Sequence, residues 1–231
     1  MARIDKSRLT KLEIIEVATE LFIEKGYSKT PIKIICTELE MSPGNMTFYF
    51  PTKEHLLAEL VDMLCDFQWE LMEREADDGI SSVMALCLEL TAMATMCEED
   101  ETAKDFYLAA YTSPMCLEII RKNDRERAMQ VFKEYCQDWT EEQFAEAEIL
   151  VSGIEYATLM TTDQVVSVET RIAGALNQIL GIYGIPEERR KSKIQQVFSM
   201  DYRGIGRRVL QEFKEYVKDT NEQAIRALFK R

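Results

Sequence analysis

An all-α chain is predicted by three features of this sequence. Apolar residues recur at the i, i+3, i+4, i+7 spacing of a helical face from Ile14 onward. The β-branched alternation that marks strands is nearly absent, and 231 residues contain only 5 Pro and 9 Gly. Those few breakers sit where helices should start or stop, as in Thr30-Pro31, Ser42-Pro43 and Gly184-Ile185-Pro186. With 46% hydrophobic and 30% charged residues, the chain has ample material for a core, and its length suits a small domain followed by a larger one.

The first helix is expected from about Lys6 to Lys25, with Ile14, Ile15, Ala18, Leu21 and Phe22 inward and Gly26 as its left-handed stop. Arg3, Lys6, Arg8 and Lys11 could form a basic arm or a solvated terminus. The second helix carries Ile32, Ile35, Cys36 and Leu39 on one face, with Thr30 as its N-cap and Pro31 at its first position. Ser42 and Pro43 open the third in the same way. If Met46 and Phe50 face inward, a rotation of 100° per residue points Gly44 and Phe48 outward, with Asn45 and Thr47 beside them. A short helix that docks by one thin face and presents the other has the form of a helix-turn-helix reader.

From Ile14 to Leu57 the chain resembles the TetR family of transcriptional regulators. The residues that carry the resemblance are IIEVATELFIEKGY, then Thr30, Ile32, Ile35 and Cys36 as T-x-I-x-x-I-C, then LEMSPG, then FYF-x-x-KEHLL. They span about a fifth of the chain at fixed spacing. The resemblance implies a DNA-binding regulator, a homodimer on a pseudo-palindromic operator of double-stranded DNA, most often a repressor answering a small effector. It places DNA contacts at Pro43, Gly44, Asn45, Thr47, Phe48, Tyr49 and Lys53, and at Thr30 and Lys33 in the preceding helix. At Thr47 and Phe48 the chain departs from the family's usual Tyr and from its His or Tyr. The implied division is a helix-turn-helix domain over 1–52 and a larger helical ligand-binding and dimerisation domain over 53–231.

Charge divides along the same line. The chain has a net charge of −13, yet residues 1–53 carry eight Lys/Arg against seven Asp/Glu. Phosphate binding depends on local cations, so the acidic remainder is expected to face away from a duplex.

A long fourth helix is expected from about Lys53 to Ala76, followed by the break at Asp77-Asp78-Gly79. Beyond it, periodicity predicts helices over 80–98, 100–112, 115–138, 140–162, 168–184, 187–200 and 203–230. Thr140 and Gln143 make a capping box. Soft side chains concentrate in 84–116, which suits an ordinary core or a pocket for a small apolar or amphipathic effector. The residues expected to line such a pocket are Met63, Phe67, Met93, Cys97, Tyr107, Tyr111, Met115 and Tyr156. An acidic second domain with Trp69, Trp139 and Tyr156 would also permit a cationic lipophile. Two apolar stripes are expected to meet a second copy: Phe144, Val151, Ile154 and Thr158 on one helix, Val209, Phe213 and Tyr216 on another.

No Gly-rich phosphate loop, metal-ligand cluster or nucleophile–base arrangement is visible, so no catalytic residue, metal or cofactor is expected. His55, the sole histidine, reads as a surface or packing residue. Six scattered cysteines read as reduced, buried thiols. No apolar run is long enough to span a bilayer and no secretory signal opens the chain, which points to a cytoplasmic protein with no membrane partner. A second reading keeps the fold without an effector: a DNA-binding or assembly protein whose second domain only dimerises.

Overall fold

In the computed structural model, residues 6–77, 80–161 and 165–229 are described, and among them the chain forms eleven α-helices and no strand. They are α1 (Lys6–Lys25), α2 (Ile32–Glu38), α3 (Pro43–Tyr49), α4 (Lys53–Asp77), α5 (Ser82–Glu99), α6 (Glu101–Thr112), α7 (Pro114–Val131), α8 (Glu141–Met160), α9 (Val168–Ile182), α10 (Glu187–Phe198) and α11 (Tyr202–Phe229). Of the N-terminal cations, Arg3 lies outside the described residues, as does most of the break at 77–79.

Local chemistry sets most boundaries. The hydroxyls of Ser42, Ser81, Ser113 and Ser167 accept backbone N–H groups at the starts of α3, α5, α7 and α9, filling donors that a helix cannot satisfy itself. Thr140 and Gln143 form the expected capping box at α8. Gly26 ends α1 at φ 92°, where a Cβ would also meet Asp105 Oδ2 at 2.9 Å.

Two boundaries differ from the sequence expectation. Pro31, not Thr30, is the N-cap residue of α2. Thr30 is fully buried, and its hydroxyl donates to the Gly26 carbonyl at 2.8 Å, closing the end of α1 instead. Helix α7 stops at Val131, seven residues short of 138. There the chain turns so that Phe132 stacks on Tyr183 with ring centroids 3.9 Å apart, while Cys136 Sγ donates to the Tyr183 carbonyl.

Helices α1 to α3 and the start of α4 share a core of Ile14, Phe22, Ile35, Met46, Phe50 and Leu57. Beyond it, α5 is buried on nearly every side, as an all-round apolar helix must be. Helices α4, α6, α8, α9, α10 and α11 pack around α5, with α7 against α4, α6 and α8. Gly206 lets α11 approach α5 so closely that a Cβ there would stand 2.7 Å from the Ala92 carbonyl. The same α11 continues to α1, where Asn221 Nδ2 donates to the Leu12 carbonyl at 3.0 Å and Lys214 pairs with Glu24 at 2.6 Å. All six cysteines are unpaired and buried. No helix among the described residues is long and apolar enough to cross a membrane.

Candidate functional site

Helix α3 docks by Met46, with Phe50 just past its end; both are buried. Its other face is open: Pro43, Gly44, Asn45, Thr47 and Phe48 are all exposed, and Tyr49 is half-buried. Phe48 is 75% exposed and leans edge-on against Tyr49, centroids 5.1 Å apart. A Cβ on Gly44 would meet nothing within 4 Å, so another backbone can come close there. Lys33 on α2 is exposed as well.

Two of the expected contact residues are turned to internal tasks. Thr30 is buried against α1, as above. Lys53 lies 3.6 Å over the Tyr27 ring and donates from Nζ to the Tyr27 carbonyl, and burial pushes its ammonium below the usual value. His55 sits at the start of α4 with Nδ1 2.8 Å from the Thr52 hydroxyl.

Deeper in the chain, a cavity of about 60 Å³ lies among α4, α5, α6, α7 and α8. Met93, Tyr107 and Tyr111 line it as expected from the sequence. The other five expected residues do not. Phe67 packs against Phe213 and Tyr216 of α11, Cys97 is buried near the end of α5, and Met63 is half-buried on α4. Met115 and Tyr156 are partly exposed to solvent. Sequence reasoning missed the charged wall of the cavity: Glu89, Asp124, Arg127, Glu148 and Glu155. A signal for it existed. Glu148 and Glu155 share the helical stripe of Phe144 and Val151, where carboxylates interrupt an apolar face.

Arg127 pairs with Glu89 and, at 3.3 Å, with Asp124. Glu148 accepts from the Tyr183 hydroxyl and Glu155 from the Tyr111 hydroxyl at 2.9 Å. Burial raises the carboxyls of Asp124 to about 6 and Glu148 to about 8, and lifts Glu155 well above its ordinary value. Tyr107 Oη and Glu148 Oε2 are buried with no hydrogen-bond partner.

The stripes expected to meet a second copy point the other way. Phe144, Val151 and Thr158 of α8, with Val209 and Phe213 of α11, are buried in the chain's own core, and Ile154 and Tyr216 are half-buried. Each stripe finds α5 or a neighbour to cover it. The large apolar side chains that α8 leaves exposed are Ile149 (55%), Leu150 (57%) and Tyr156 (39%), with Gly153 and Ala157 exposed beside them.

Comparison with known proteins agrees with this geometry at the N-terminal end. The pattern of the bacterial regulatory proteins, tetR family, matches residues 14–60. An uncharacterized HTH-type transcriptional regulator, YuxN of Bacillus subtilis (strain 168), is 42% identical over 53 residues, which is 23% of this chain and 18% of that protein. The HTH-type transcriptional regulator QacR of Staphylococcus aureus (strain Mu50 / ATCC 700699) is 42% identical over 53 residues, 23% of this chain and 28% of that one. The matched segment thus spans less than a third of either relative. Among solved structures, Salmonella enterica GusR superposes with a TM-score of 0.46 at 20% identity, over 76% of this chain and 96% of that one. Over residues 14–60, which build most of α1, α2, α3 and the start of α4, the chain is similar to the bacterial regulatory proteins of the tetR family.

Proposed function

We propose that this protein is a DNA-binding transcriptional regulator, a ligand-responsive repressor that acts as a homodimer on a pseudo-palindromic operator. The observation that carries the reading is the open face of α3, with Phe48 held out into solvent beside Thr47, Asn45 and Gly44 while Met46 anchors the helix. Such a face offers short hydrogen-bonding groups and an apolar ring to base edges and sugars. Lys33 supplies a phosphate contact; Thr30 serves by shaping the start of α2, and Lys53 by fixing Tyr27 at the junction of reader and α4.

The division at 52/53 follows from this reading, with α4 belonging to both parts. Its first turns, Leu56, Leu57 and Leu60, are buried in the shared core, and Val61, Leu64 and Gln68 further along border the cavity. An effector in the cavity would therefore act on α4, provided that it binds the DNA-free and DNA-bound arrangements with different affinity. The cavity supports this reading over a second domain that only dimerises. The exposed face of α8 around Leu150 and Gly153 is the surface assigned to the second copy, because small residues there admit a close helix approach. A two-fold axis then spaces two α3 helices about one DNA turn apart.

Selection from random DNA, followed by binding across a salt series, tests the reading. An inverted repeat should emerge, with affinity falling steeply as salt rises. Recovery of no sequence preference would remove the regulator reading and leave the assembly protein.

A further inference from the structure

The interior cavity is built for charge. Its described wall brings four carboxylates, Glu89, Asp124, Glu148 and Glu155, against one guanidinium, Arg127. Arg127 is already shared between Glu89 and Asp124. Among the described residues, no cation stands within ion-pair distance of Glu148 or Glu155, although Arg121 lies near enough to act on Glu148 through space. Each of these two carboxyls has one oxygen held by a tyrosine hydroxyl, and Glu148 keeps Oε2 buried and unpartnered. Tyr107, 2% exposed, brings a second unpartnered oxygen to the same space. Buried polar atoms without partners carry a free-energy cost that a bound group can relieve.

Aromatic faces complete the wall, since Phe132 and Tyr183 stack there beside Tyr107 and Tyr111. Rings next to carboxylates favour a cation that is partly apolar. The volume, about 60 Å³, is several times what one water requires. Between α4 and α7 a surface cleft of about 400 Å³ shares Cys65 and Arg127 with the cavity and is itself flanked by Asp66, Glu126 and Trp69. That gives an acidic approach to the interior.

We propose that this cavity takes a small organic cation, an alkylammonium or amidinium of a few heavy atoms, whose charge is matched by Glu148 and Glu155 and whose N–H group donates to Tyr107 Oη. The inference rests on the effector reading above for its place in regulation, but not for its chemistry. Binding is linked to protons. Burial pushes the Glu148 carboxyl up to about 8, so it holds a proton at neutrality, and raises that of Glu155 well above its ordinary value. An incoming cation favours their ionised forms, so protons leave as it enters and affinity rises with pH. The groups facing them are Cys65 from α4, Glu89 from α5, Tyr107 and Tyr111 from α6, Asp124, Arg127 and Arg121 from α7, and Tyr183 after α9.

Calorimetry on the full chain, with ethylammonium, acetamidinium and neutral ethanol at pH 6, 7 and 8 in two buffers of different protonation heat, tests this. The cations should bind at least about tenfold more tightly than the alcohol, the preference one unscreened charge contact provides. Their affinity should rise with pH, by up to about tenfold per unit for each proton released. Glu148→Gln should remove one released proton, and Glu148→Gln and Glu155→Gln should each remove most of the preference for cations. If either variant fails to fold, the wild-type buffer series decides alone. Equal or tighter binding of the alcohol, a pH-independent affinity, or no binding of either cation at millimolar concentration overturns the proposal. DNA binding in the presence of each compound separates it from the effector reading. If the alcohol releases DNA and the cations do not, the effector reading stands and the cation falls. If a cation binds with proton release and DNA affinity does not change, the cation stands and the effector reading falls.

Discussion

Glu40 turns the chain between α2 and α3 at φ 51°, a left-handed conformation that costs any residue with a Cβ. Replacing it with glycine should raise stability by up to about 1 kcal/mol, since relief of the Cβ contact exceeds the extra freedom that glycine gives the unfolded chain. Urea denaturation reads the change, and a loss of stability would mean that the Glu40 side chain has a task of its own. The reader residues separate by the same kind of measurement. Phe48→Ala should leave stability within about 0.5 kcal/mol, because the ring is mostly in water, yet blur sequence preference in DNA binding. Lys33→Ala should flatten the salt dependence by about one unit at unchanged stability. Lys53→Ala should instead cost about 1 kcal/mol of stability by freeing Tyr27. If Lys53→Ala flattened the salt slope without destabilising, its place beside Tyr27 would give way on DNA. The outward face of α3 could be read from the sequence because its cap, its proline and its two docking residues all lie within nine positions. The task of Lys53 could not, because its partner lies 26 residues away.

At the scale of elements, Gly206 joins α11 to α5. Glycine to alanine within a helix ordinarily stabilises by about 1 kcal/mol. Here the new methyl would press on the Ala92 carbonyl at 2.7 Å, and strain of about 1–3 kcal/mol from such overpacking should outweigh that gain. Thermal denaturation of Gly206→Ala checks the sign, and a stabilised variant would show that α11 can slide. Helix α8 shows where periodicity runs out. Its apolar positions were legible, but a helix inside a bundle has two apolar faces, and spacing alone does not say which one the chain covers itself. Phe144 and Val151 went inward, while Ile149 and Leu150 stayed outside. If the proposed dimer forms through this face, Leu150→Glu should yield monomers at unchanged helicity, measured by sedimentation; a persistent dimer would move the interface elsewhere.

Across the whole molecule, the raised carboxyls make stability depend on pH in an unusual direction. A carboxyl whose pKa is raised on folding stabilises the native state fully below its unfolded value, 3.8 for Asp124 and 4.5 for Glu148, and loses that contribution as pH climbs through its folded value. For Asp124 and Glu148 this window runs up to about 6 and about 8. Stability should fall by about 1 kcal/mol or more between pH 5.5 and 8.5, the worth of one pKa unit, and Glu148→Gln should flatten the fall. Glu24, lowered by Lys214, and Glu169, where burial is outweighed by a backbone hydrogen bond and Arg203, act only in the acid range below, so they do not mask it. A flat profile would mean that water reaches the cavity and solvates both charges. The net acidity of the second part was plain in the sequence. That several acids would converge on one interior space was not, because Glu89, Asp124 and Glu155 meet only through packing of α5, α7 and α8.

The bond from Asn221 to Leu12 spans 209 residues and ties the last helix to the first. At a synthesis rate of about 5–20 residues per second, α1 leaves the ribosome roughly 10–40 seconds before its cover does. Throughout that interval the α1 surface that α11 will occupy is bare, a place for a chaperone to hold or for a neighbouring nascent chain to stick. The junction of α1 and α11 is therefore completed only once α11 has been made.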